Sequence, residues 1–118
     1  MRYNIIQEKS LQFSVRIVKL SRYLKKNKIE AVLSTQILKS GTSIAANVAE
    51  AIASISKAEF SAKISISYKE AQETKYWLSL LFQTESISEI QYKSMLNDCE
   101  EILKILFAIL KKTRINNQ

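Results

Sequence analysis

Histidine and proline are absent from this 118-residue chain, and glycine and cysteine occur once each. Without histidine there is no Ser-His-Asp or Cys-His arrangement, no imidazole base and no His-based metal site. One glycine cannot build a phosphate-cradling loop, and the lack of proline and glycine together removes the residues that make tight turns and hairpins. Such a composition belongs to long helices. The lone cysteine, Cys99, cannot form an internal disulfide, and among apolar neighbours it reads as core filler suited to a reducing compartment. The longest aliphatic and aromatic run, Ile105 to Leu110, falls far short of the roughly 20 residues a membrane span requires, and the opening MRYNIIQEKS has no apolar signal core. A cytoplasmic protein with no membrane partner is expected.

What is present is helical periodicity. Phe13, Ile17, Leu20 and Leu24 recur at spacings of 4, 3 and 4, which predicts a first helix over about 5–26, with the first turn at 26–30. Leu33, Ile37, Ile44, Val48 and Ile52 predict a second over about 31–53, followed by a break at 54–56. Ser56-Lys57-Ala58-Glu59 and Ser88-Glu89-Ile90-Gln91 each carry the reciprocal capping pattern that opens a helix. Ile64 to Tyr68 alternates like a strand. It nonetheless lies in a breaker-free window where Phe60, Ile64, Ala71, Leu78 and Leu81 hold a longer helical period, completed by Ser67 and Thr74, so helix is the expectation. Four long helices on short turns can hardly do other than run up and down. The predicted fold is all-α, an antiparallel up-and-down four-helix bundle forming one domain over 1–118, large enough to bury about two-thirds of its unfolded surface.

Two features exceed what a minimal bundle needs. Leu11 and Val18 lie off the main stripe of helix 1, and helix 4 is apolar at Ile102, Leu103, Ile105, Leu106, Phe107, Ile109 and Leu110. Such width fits a partner, and it also fits a broad core face. Charge is uneven as well. Residues 1–28 carry eight basic side chains against Glu8, a net of +7; residues 111–118 add +3; the remainder is −3. Arg16, Lys19, Arg22 and Lys26 fall within about 120° on a helical projection, and Lys111, Lys112 and Arg114 form a second basic group. Anionic polymers, RNA or DNA, are the natural partners of such surfaces; a solvated basic helix that keeps the protein soluble has the same signature.

The remaining candidates are polar residues on helix faces. Gln36, Ser40, Ser43, Asn47 and Glu50 share one face of helix 2, beside the small residues Gly41, Ala45 and Ala49, which suggests close packing with hydrogen bonds across the contact. Glu50, Glu70, Glu73, Glu100 and Glu101 are bundle carboxylates. Di-metal bundles usually add a histidine three residues after a glutamate, whereas here Glu73 follows Glu70, so no metal or other cofactor is expected. Trp77, beside Tyr76, fits a packing anchor better than a base-stacking platform.

SGTSIAANVAEA at 40–51, SKAEFSAKISIS at 56–67 and KEAQETKYWLSLL at 69–81 resemble the four-helix bundle proteins encoded in intervening sequences of bacterial large-subunit ribosomal RNA genes. The similarity extends from NIIQEKS at 4–10 to NDCEEILKIL at 97–106. Relatives of that family include the accessory variability determinant of diversity-generating retroelements, which assists a reverse transcriptase. The resemblance implies a ring-like homopentamer with a basic surface for nucleic acid and no enzymatic activity. Its pattern falls on Gln36, Ser40, Ser43, Asn47, Glu50, Ser56, Phe60, Glu70, Glu73 and Trp77; of these, Gln36, Ser40, Ser43, Asn47, Glu50, Glu70, Glu73 and Trp77 are expected to be structural or interface positions. Lys39 stands where many members have arginine, and Ala45 where glycine is common. The functional expectation is therefore a non-enzymatic accessory protein that binds RNA or DNA with little sequence preference. The alternative is an interaction module for an acidic protein partner such as a reverse transcriptase or another operon-encoded protein.

Overall fold

The computed structural model describes residues 3–27 and 31–116, with side chains described through Thr113. Four helices account for nearly all of these residues: α1 (Asn4–Lys26), α2 (Ala31–Ile52), α3 (Lys57–Gln83) and α4 (Glu89–Asn116). There is no strand among the described residues, and Ile64 to Tyr68 lies inside α3. The first turn falls partly outside the described residues, since 28–30 are not among them. A 28-residue helix is about 42 Å long, which matches the 47 Å long axis of a molecule only 22 by 20 Å across.

Cross-helix contacts give the topology. Ser21 meets Ser34, and Ile17 lies against Gly41; Glu50 pairs with Lys63, and Ser40 with Thr74. Tyr68 meets Phe107, and Phe82 stacks on Tyr92 at 4.5 Å. Lys9 reaches Glu101 while Arg16 reaches Asp98. In each pair of helices one residue number rises as the other falls, so neighbours are antiparallel and α1 and α4 close the ring of four.

The predicted stripes are the core. Phe13, Ile17, Leu20 and Leu24 of α1 meet Ile37, Ile44 and Val48 of α2, Ile64, Ala71, Leu78 and Leu81 of α3, and Cys99, Ile102 and Leu106 of α4. Each large aliphatic or aromatic side chain so buried contributes about 1.5–3 kcal/mol. Cys99 is fully buried, and its Sγ donates to the Ala71 carbonyl at 3.4 Å. Burial pushes its thiol up to about 12, which leaves an unreactive filler.

The helix ends add detail. At Ser88 the box is complete: the Gln91 N–H donates to Ser88 Oγ and the Ser88 N–H to Gln91 Oε1. At Ser56 it is not the reciprocal pair the sequence predicts. The Glu59 N–H donates to Ser56 Oγ at 3.0 Å, but the Glu59 carboxylate reaches one residue further back, to the Ile55 N–H at 3.4 Å. The α3–α4 turn is a Schellman motif: the Ser86 N–H returns to the Leu81 carbonyl and the Glu85 N–H to Phe82. The left-handed position belongs to Glu85 (φ 59°), where most helices place glycine.

Candidate nucleic-acid interface

α1 carries its cations in two kinds of surroundings. On its N-terminal half and middle, α4 supplies carboxylates: Lys9 Nζ donates to Glu101 Oε1 at 2.6 Å, and Arg16 Nη1 to Asp98 Oδ2 at 2.5 Å. Arg16 also donates from Nη2 to Ser94 Oγ at 2.9 Å, so its guanidinium fork is committed to α4. The bond to Glu101, then its charge, raises the Lys9 pKa. On the C-terminal half, Lys19, Arg22 and Lys26 are exposed and form no ion pair with any described residue. These three share one outward face, with Tyr23 half-exposed at its edge. Lys25 and Lys26 stand in the last turn of α1, where cations also offset the negative end of the helix dipole.

The second basic group lies at the other end of the molecule. Lys112 borders an apolar groove of about 360 Å³ with Tyr3, Ile5, Ile6, Ile105 and Ile109, beside the start of α1. Lys111 is exposed, with its Nζ 5.8 Å from the centre of the Phe107 ring, and the side chain of Arg114 lies outside the described residues. Lys19 and Ile5 are fourteen positions apart in one helix, about 21 Å at 1.5 Å per residue. The two basic groups are thus separate patches, with the neutralised Lys9 and Arg16 between them.

The polar residues of α2 divide. Ser40 is buried and accepts from Thr74 Oγ1 at 2.9 Å, and Glu50 pairs with Lys63 across the same α2–α3 seam at 3.3 Å. Ser43 and Asn47 instead bond to the carbonyls four residues back, at Lys39 and Ser43. Gln36 is half-buried and has no hydrogen-bond partner among the described residues. The small residues serve a different neighbour: a Cβ on Gly41 would stand 2.7 Å from Ile17 Cγ1 and Cγ2 of α1, while Ala49 is exposed. The close contact and the polar line are therefore on opposite flanks of α2.

Glu70, Glu73 and Trp77 lie on α3 along its α2 side. Partial burial, then the charge of Glu73, raises the Glu70 pKa, with Lys39 acting against them. Trp77 is half-buried with its ring 5.1 Å from Tyr76, and its Nε1 is enclosed without a hydrogen-bond partner. Glu100 pairs with Lys75 and Glu101 with Lys9, so the bundle's carboxylates point into three different seams. Among the described residues no three metal-ligating side chains gather.

One arrangement escaped sequence reasoning. Between α3 and α4 an open groove of about 310 Å³ is lined by Tyr68, Gln72, Lys75, Lys104 and Phe107, with Glu100 and Leu103 at its floor and edge. The two rings are 39 positions apart in the chain, and only the antiparallel register of α3 and α4 brings them to 6.1 Å.

Comparison with known proteins agrees with this architecture. The model of a family described as 23S rRNA-intervening sequence protein matches residues 2–108. A crystal structure of a protein of unknown function, assigned to the S23 ribosomal protein family and coming from Bacteroides thetaiotaomicron VPI-5482, superposes with a TM-score of 0.91. The two chains are 50% identical, and the match covers 94% of this chain and 99% of the other. No curated protein matches. None of the described helices is long and apolar enough to cross a membrane.

Proposed function

We propose that this chain, which belongs to the 23S rRNA-intervening sequence protein family, is a non-enzymatic, ring-forming accessory protein that binds RNA or DNA with little sequence preference. The observation that carries this reading is the division of α1. Where α4 offers Asp98 and Glu101, the facing cations are neutralised; Lys19, Arg22 and Lys26 are left together on an open face. A row of unpaired cations at helical spacing meets phosphates without reading bases.

Assembly is supported by the apolar part of the same face. Leu11 is 61% exposed and Val15 48% exposed, one to three turns before the basic part. Rings repeat one heterologous contact, in which two different faces of the protomer meet. The α2–α3 face, with unpartnered Gln36 and half-buried Glu70 and Trp77, suits the second role. A homopentamer of this kind would multiply a weak basic site.

Fluorescence anisotropy at two salt concentrations tests the binding. Each phosphate contact adds about 0.9 to the slope of log affinity against log salt on duplex DNA and about 0.7 on single strands. Replacing Lys19, Arg22 and Lys26 with glutamine should flatten that slope and weaken all sequences alike. No binding at low salt overturns the reading. Binding that persists at high salt points instead to an acidic protein partner, which the juxtaposition of Leu11 and Val15 with the cations would also suit. Light scattering on a size-exclusion column tests the ring, and a monomer at tens of micromolar removes it.

A further inference from the structure

The α1 flank is charged but offers bases little to stack on: among the described residues of α1, Tyr23 at its edge is the exposed aromatic ring. The groove between α3 and α4 has the complementary equipment. Phe107 is 48% exposed, and Tyr68 stands 6.1 Å from it with the ring planes inclined at 40°. Three lysines surround the rings. Lys111 lies over Phe107, Lys104 is exposed with no ion pair to a described residue, and Lys75 is held near Glu100 at 3.7 Å, beyond hydrogen-bonding distance.

We propose that this groove is a stacking site for the unpaired bases of a single-stranded nucleic acid, with Phe107 as the platform and Lys75, Lys104 and Lys111 as the phosphate contacts. The inference rests on the nucleic-acid reading above and specifies a second site for it. Rings between cations at this spacing fit a chain whose flat bases alternate with phosphates, and every base presents a π face whatever its sequence. An amphipathic helix from another protein would want aliphatic lining and opposite charge; here the lining is aromatic and the net charge positive. Gln72 Nε2 donates to the Tyr68 hydroxyl oxygen at 3.1 Å, which holds the Tyr68 ring in place. The Tyr68 O–H and the Gln72 carbonyl oxygen are left to face a base edge. A duplex hides its base faces in its own stack, so the groove selects single strands while the α1 flank does not.

The test uses the full chain with a fluorescein-labelled single-stranded 12-mer, a duplex of the same composition, and a 12-mer containing 2-aminopurine, whose emission reports stacking. Phe107→Leu keeps the apolar volume and removes the ring. It should weaken single-strand binding about 5-fold or more and abolish the 2-aminopurine response. Duplex binding should be unchanged, and Phe107→Tyr should retain both signals. Lys104→Gln should lower the single-strand salt slope by about 0.7. Wild-type behaviour of Phe107→Leu, alongside weakened binding by the Lys19, Arg22 and Lys26 triple variant, overturns the groove and leaves the α1 reading intact. Equal loss on duplex and single strand also overturns it, because paired bases cannot use a stacking platform. No binding of either probe at low salt removes both.

Discussion

α1 has two edges, and they are built differently. Against α2 it is dry and close: Ile17 fills the space a side chain on Gly41 would need, and buried Ser21 and Ser34 bond hydroxyl to hydroxyl at 3.0 Å, with Ser34 also donating to the Ser21 carbonyl. Against α4 the contact is thinner and wetter, tied by the half-exposed pairs Lys9–Glu101 and Arg16–Asp98. The first edge derives its strength from size and satisfied polar atoms, which tolerate little change. The second relies on charge in partial contact with water, which is worth little and is screened by salt. The contrast places the bundle's adaptable seam beside its basic face.

The sharpest break should come at Gly41. Gly41→Val forces the β-branched Ile17 aside, and overpacking of this kind costs about 1–3 kcal/mol, with the upper end expected because the nearest atoms are Cγ1 and Cγ2 rather than a flexible tip. Denaturant unfolding would measure it. Combined with Ile17→Ala, the loss should be smaller than the sum of the two single changes, since each relieves the other. Strict additivity would mean the close approach is not the constraint.

Next in size is the serine pair. Ser34→Ala leaves the buried Ser21 hydroxyl with only the distant Ser34 carbonyl at 3.5 Å, which should cost about 1–2 kcal/mol. Replacing both serines with alanine removes the stranded partner and should cost less than the single change. If the double variant is the worse of the two, the pair contributes more than satisfaction of its own polarity.

How much of this was legible in the sequence depends on the range of the interaction. The stripe of Phe13, Ile17, Leu20 and Leu24, the N-cap hydroxyl of Ser56, the complete box at Ser88 and the burial of Cys99 are set by neighbours within a turn or two, and spacing alone exposes them, though not the shift of the Glu59 carboxylate to the Ile55 N–H. Long-range partners were not visible. Arg16 shares a helical face with Lys19 and Arg22, yet Asp98, 82 positions away, takes it out of that group. Tyr68 and Phe107 carry no local signal of meeting. The left-handed turn at Glu85 was hidden for another reason: the usual mark is glycine, and the chain's single glycine is spent at the α1–α2 contact, so glutamate bears the strain.

On the α4 edge, Arg16→Gln should cost about 0.2–1 kcal/mol, with the difference from wild type shrinking as salt is added. A loss above that range, insensitive to salt, would show that the stem of Arg16 packs rather than pairs. The same variant should lower nucleic-acid affinity less than the triple substitution at Lys19, Arg22 and Lys26, because Arg16 is committed to Asp98 and its loss acts only through the carboxylate left unmatched beside the basic face.

Lys9 gives the smallest effect and the clearest sign. Its pKa is raised above 10.5, first by the hydrogen bond to Glu101 and then by that carboxylate's charge. A cation with a raised folded-state pKa contributes stability that is fully present below its unfolded value and is lost as pH rises through the folded one. Lys9→Gln should therefore lower thermal stability slightly at pH 8, and the gap between variant and wild type should close above about pH 10.5. Other effects of alkaline pH are common to both proteins and drop out of the difference. A gap that stays constant through pH 11 would mean that Lys9 holds the seam by covering the groove it shares with Phe13 and Ile102, and not by its charge. The α4 edge would then be more like the α2 edge than its ion pairs suggest.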